Sequence, residues 1–193
     1  MVRVYKNETA LLKNLYRILK SKQYFTRYKL AMKSDPRLTR FIGEIIEVLA
    51  RKLKMNKHSE YYTLDHVLYR NMDVIPEGDL PFGTSIVQGT WLKHIRVAFE
   101  HENRLDSAGG FQEIAKLLLI NADIKVLMGY AYKGENYDAY AREYQKIFSS
   151  VAVPTTPILF IGEYLDGHAE AYLITIEGPL KYDWNQSIWG TFT

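Results

Sequence analysis

The chain alternates between stretches whose apolar residues recur every three or four positions and stretches in which they recur every second one. From residue 8 to 22, Leu11, Leu12, Leu15, Ile18 and Leu19 repeat at helical spacing while Lys13, Arg17, Lys20 and Lys22 take the other faces, which predicts an amphipathic helix. Tyr24, Phe25, Arg27, Tyr28 and Lys29 follow, and Ser34-Asp35-Pro36 supplies a break and a helix start. A second helix is expected from about Leu38 to Lys54, with Ile42, Ile45, Ile46, Leu49 and Leu53 inside one narrow arc. Tyr61 to Arg70 reads as a strand, Asn71 to Thr84 as a long loop, Ser85 to Gln88 as a short strand and Ile95 to Glu102 as a further strand. Residues 111 to 121 read as a helix, Ile124 to Tyr132 as a strand and Tyr137 to Phe148 as another helix. Pro157 to Gly162 and Ala169 to Ile176 complete the pattern as strands joined through Asp166-Gly167, a hairpin signal.

The strand Ile95 to Glu102 carries the most informative chemistry. Side chains alternate along a strand, so Arg96, Ala98, Glu100 and Glu102 share one side, and Ile95, Val97, Phe99 and His101 share the other. Successive same-face residues lie roughly 6 to 7 Å apart, where like charges oppose each other's ionisation unless a cation lies between them. A hard divalent metal relieves that repulsion. With no cysteine and only five histidines, oxygen ligation points to Mg2+ or Mn2+ rather than zinc. Asp65 is a second candidate, an acid inside an otherwise apolar strand, where desolvation demands a partner or a task. A hydrogen-bonded edge residue accounts for it equally.

Composition narrows the setting. A chain of 193 residues with 47% hydrophobic and 24% charged content is ordinary for one globular core. Its apolar runs, such as Ile114 to Ile120, fall far short of the roughly 20 residues that span a bilayer, and no apolar signal core follows the N-terminal charges, so a cytoplasmic protein is expected. The absence of cysteine excludes disulfides and thiolate metal sites. The net charge of +3 conceals a division: residues 1 to 57 hold fifteen basic and four acidic side chains, and residues 58 to 193 hold ten basic and eighteen acidic. Such polarity suits a protein that grips a polyanion with one region and performs carboxylate chemistry with the other, although a solvated basic helical surface explains the first half as well. Aromatics interleaved with basic residues over 24 to 29 can stack on bases and neutralise phosphates, or anchor the core between two helices.

The order of elements is a helix with Glu47, a strand with Asp65, a strand with Glu100 and Glu102, a helix with Gln112 and Lys116, then a buried strand. Over about residues 39 to 132 this resembles the core of the PD-(D/E)XK nuclease superfamily, in its variant with a second acid in place of the motif lysine. The resemblance implies an α/β restriction-endonuclease-like fold: a mixed sheet flanked by helices, with residues 36–150 as the nuclease-like core. Residues 1–35 would be a basic helical extension, and 151–193 a C-terminal hairpin and tail of the same domain. Asp65 would be the first motif acid and Glu100 the second, together holding Mg2+ or Mn2+. Glu102 would stand where lysine is usual, with Lys116 as a lysine displaced to the following helix. Gly43-Glu44-Ile45-Ile46-Glu47 is similar to the first helix of archaeal junction resolvases, whose glutamate reaches the metal site. The first motif's proline is absent and about thirty residues separate the motif strands, so Asp73 is a backup for the first acid.

The implied activity is magnesium-dependent DNA hydrolysis, with a nuclease-like but non-catalytic nucleic-acid-binding or assembly protein as the alternative. Cutting both strands of a duplex favours paired sites, hence a possible homodimer. A glycosidase-type use of Glu100 and Glu102 is disfavoured, because same-strand carboxylates point in parallel instead of flanking a substrate. Bland readings stand beside these: Lys116 as a surface lysine paired with Gln112 or Glu113, His101 as a packed histidine, and Glu163, Asp166 and His168 as turn chemistry.

Overall fold

A computed structural model describes residues 5–76, 90–103, 109–130, 136–150, 156–163 and 169–192. Among the described residues, five α-helices and eight strands follow in the order α1 (Lys6–Leu19), α2 (Lys22–Ala31), α3 (Asp35–Lys52), β1 (Asn56–Tyr61), β2 (Leu64–Tyr69), β3 (Ile95–Glu102), α4 (Gly109–Leu119), β4 (Ala122–Tyr130), α5 (Tyr137–Ser150), β5 (Ile158–Glu163), β6 (Ala169–Thr175), β7 (Gly178–Asp183) and β8 (Ile188–Gly190). The strands form one sheet in sequential order. β1, β2 and β3 pair antiparallel, β3, β4 and β5 pair parallel, and β5 to β8 return to antiparallel pairing.

Two successive parallel steps in the same direction, each crossing over right-handedly, put both connecting helices on one face of the sheet. α4 and α5 accordingly pack there, where Ile114, Leu117, Ala141 and Tyr144 meet Val67, Ala98, Leu127 and Phe160. The other face would lie bare without the N-terminal helices. Leu11, Leu12, Leu15 and Ile18 of α1 and Ile42, Ile45, Ile46 and Leu49 of α3 cover it, against Leu68, Val97, Phe99, Val126 and Leu159. Residues 1–35, read above as an extension, therefore supply α1 and α2 to the main core. The central strand β4 is buried on both faces, as expected for a parallel strand with helices on either side.

The mixed α/β architecture and most elements match the sequence pattern, and β3 matches it to the residue. Three differences stand out. The single strand expected over Tyr61 to Arg70 is a hairpin, β1 and β2, turning at Tyr62-Thr63, with Glu60 and Tyr62 at φ near +55°. β1 escapes periodicity because Asn56-Lys57-His58-Ser59-Glu60 lies at the sheet edge and has little apolar face to show. β7 and β8 were not anticipated, and α2 occupies the stretch that followed the first expected helix. The short strand expected at Ser85 to Gln88 and the Asp166-Gly167 turn lie outside the described residues, although β5 and β6 flanking that turn do pair antiparallel. Among the described residues, no helix is long and apolar enough to cross a membrane.

Candidate active site

β2 and β3 pair with His66 opposite Phe99 and Val67 opposite Ala98, so the next step sets Asp65 beside Glu100 on the face that α4 covers. Alternation fixes that face: Val97 and Phe99 join the cluster beneath α1 to α3, while Ala98 joins the cluster beneath α4 and α5. Asp65 accepts a hydrogen bond from the His101 backbone N–H at 2.8 Å through Oδ2. From α4, Lys116 Nζ donates to Glu100 Oε2 at 3.1 Å, makes a longer 3.4 Å contact to the Thr63 carbonyl and pairs with Glu113 one helical turn earlier. One end of the sheet thus gathers Asp65, Glu100, Glu113 and Lys116.

The Glu100 side chain is wholly buried, and its Oε1 accepts no hydrogen bond from a donor group among the described residues. Burial first, then a hydrogen bond shared with the Glu113 carboxyl, then the charges of Asp65 and Glu113 push Glu100 up to about 9, against the opposing charge of Lys116. Burial works against the Lys116 ammonium, but its bonds to Glu113 and Glu100 outweigh that and raise its pKa. The two tendencies agree: burial and neighbouring acids keep the proton on Glu100, and Lys116 stays charged between Glu100 and Glu113. Glu102 lies one same-face step beyond Glu100 and is half-buried.

Glu47 is not brought to this cluster. It sits exposed on α3, on the opposite face of the sheet, with its carboxylate 3.7 Å from Lys57. Asp73 is likewise separate and is taken up structurally: Arg96 holds both its oxygens at 2.7 and 2.9 Å, and the Arg70 N–H adds a third bond. These bonds, chiefly the two from Arg96, hold the Asp73 carboxyl below the usual carboxylate range. His101 packs edge-on against Tyr130 and is pushed down to about 3 by burial and by His66.

The sequence reading undervalued three residues. Glu113 appeared there only as a partner for a surface lysine, yet its place three residues before Lys116 sets both on one helix face. Lys125, in the middle of β4, is buried and pushed down to about 8 by that burial. Glu163 is no turn residue: it ends β5 inside the core near Tyr28 and Tyr130, where burial raises it to about 7 although those hydroxyls favour its charged form. No period-2 or period-3.6 pattern marks either buried charge, because each occupies a slot that the pattern reserves for an apolar side chain.

A hard divalent cation suits the donors present. Two carboxyl groups from adjacent strands lie on one face, and the buried Glu100 Oε1 meets no donor group among the described residues. Among the described residues no three His, Asp or Glu side chains form a ready ligand group, so water would supply much of the coordination, as Mg2+ commonly retains. Compared with protein-family models and with curated proteins, the chain matches none.

Proposed function

We propose that the chain is a divalent-metal-dependent deoxyribonuclease, hydrolysing DNA phosphodiester bonds at the cluster of Asp65, Glu100, Glu113 and Lys116. The observation that carries this reading is the meeting of two strand acids with a lysine from the following helix at one end of the sheet. The succession α3, β1, β2, β3, α4, β4, with a three-stranded meander and then a parallel strand, supports a restriction-endonuclease-like core.

Asp65 and Glu100 would hold Mg2+ or Mn2+, which when bound polarises the phosphate and lowers the pKa of a coordinated water. Glu102, half-buried one same-face step beyond Glu100, would orient or deprotonate the attacking water. Lys116 offers a fixed positive charge to the oxygens on which negative charge develops. Glu113 holds that ammonium from one helical turn earlier.

One observation favours the second reading, a nucleic-acid-binding protein without catalysis: Lys116 already neutralises the acids around it. Cleavage of supercoiled, linear and branched DNA with Mg2+ or Mn2+ separates the two. The nuclease reading expects metal-dependent cleavage that Asp65→Ala and Glu100→Ala each abolish. Intact DNA with folded wild-type protein in both metals overturns it.

A further inference from the structure

The outer edge of α3 bears Arg37, Arg40, Glu44, Glu47 and Arg51, spaced three and four apart and therefore in one stripe. At 1.5 Å per residue the stripe is about 21 Å long, or about six nucleotide steps of duplex DNA. Its two acids are already engaged by cations from outside the helix, Glu44 by Arg27 of α2 and Glu47 by Lys57 of β1. Arg37, Arg40 and Arg51 are exposed and have no acidic partner among the described residues. A cleft of about 290 Å³ beside Arg27 and Arg37 adjoins one of about 430 Å³ beside Tyr24, Arg51 and Lys57, and both are lined by Arg40 and Glu44.

The stripe also points toward the acid cluster. Thr39, between Arg37 and Arg40, accepts a hydrogen bond from Asn103 at 2.9 Å through Oγ1, and Asn103 directly follows Glu102 at the end of β3. The N-terminal end of α3 thus abuts the sheet end that carries Glu100, although α3 lies on the opposite face.

We infer that this groove is the DNA-docking surface: the phosphate backbone lies along Arg37, Arg40 and Arg51 and passes over the end of β3 toward the acids. Surplus cations along a groove recognise a polyanion, and a stripe of this length engages several phosphates of one strand. The inference rests on the nuclease reading for its choice of DNA, and binding without metal tests it separately from catalysis.

The experiment is fluorescence anisotropy of a labelled 20-base-pair DNA duplex in EDTA, over a salt series. Wild type is expected to bind without metal. Replacing Arg37, Arg40 and Arg51 together by Ala is expected to weaken binding at least about tenfold near 100 mM salt and to flatten the logarithmic salt slope by about 2.7, three lost phosphate contacts at about 0.9 each. Lysines at the same three positions should restore most of the slope, and Ala at exposed Lys93, Arg142 and Lys146 should leave it unchanged. The inference is overturned if wild type does not bind, if the arginine variant matches wild type, if the control triple weakens binding equally, or if RNA of the same sequence binds more tightly. Normal binding without cleavage in metal would sink the nuclease reading alone, and normal cleavage with an unaffected arginine variant would sink the groove alone.

Discussion

Glu100→Gln isolates the charge state of the acid cluster, because the amide copies a protonated carboxyl: its oxygen still accepts from Lys116 and its NH2 still donates toward Glu113. In the folded chain the Glu100 carboxyl is pushed from 4.5 up to about 9, by burial above all. Between those pH values the folded chain holds a proton that the unfolded chain has released, so this group makes wild-type stability fall as pH rises. At about 1.36 kcal/mol per unit the full shift caps the loss at about 6 kcal/mol. The higher effective dielectric of real protein interiors reduces it to about 2 to 4 kcal/mol. Gln cannot ionise and lacks that slope. The assay is urea unfolding at about pH 5.5, 7 and 8.5. With a denaturant slope near 2 kcal/mol per molar, the variant's midpoint should exceed wild type's by about 1 to 2 M at the highest pH and by little at the lowest. Other groups that titrate in this window, Glu163 at about 7 among them, are common to both proteins and cancel in the difference. Midpoints that run parallel with pH refute the protonated cluster. A variant that loses ground as pH rises would show Glu100 ionised and stabilised by Lys116.

Two more predictions concern residues outside the cluster. A Cβ at Gly162 would stand 2.5 Å from the Tyr137 ring, too close for either fixed element to yield, so Gly162→Ala should cost about 1 to 3 kcal/mol in thermal or urea unfolding; an unchanged midpoint would show that Tyr137 moves freely. Asp73→Ala removes both bonds to a half-buried Arg96, which among the described residues then keeps Asp123 at 3.2 Å, and should cost about 2 to 3 kcal/mol. Because the Asp73 carboxyl is held low, that difference should be present above the ordinary carboxylate range and vanish in acid. Metal-dependent cleavage per folded molecule should survive this substitution, whereas its loss would return Asp73 to the reaction.

Much of the architecture is legible in the residues because it is written in local periodicity. β3 reads off to the residue, with Glu100 and Glu102 on one face and His101 on the other, since alternation is a property of the strand itself. α1, α3 and α5 are equally plain from their apolar arcs. An edge strand with little apolar face, such as β1, carries no such mark, and neither does a buried charge such as Lys125 or Glu163.

Tertiary structure alone decided which acids meet. The residue pattern offered Asp65 as the first acid, with Asp73 as its backup and Glu47 from the helix, and the β2–β3 register set Asp65 beside Glu100. The choice of face sent Glu47 to Lys57, and a bidentate arginine claimed Asp73. Local sequence determined which element each acid rides on and which way it faces along that element. Register and the stacking of α4 over β3 set the distances between acids far apart in the chain, and those distances govern burial, charge and the proton at Glu100, because electrostatic coupling depends on separation in space rather than along the chain.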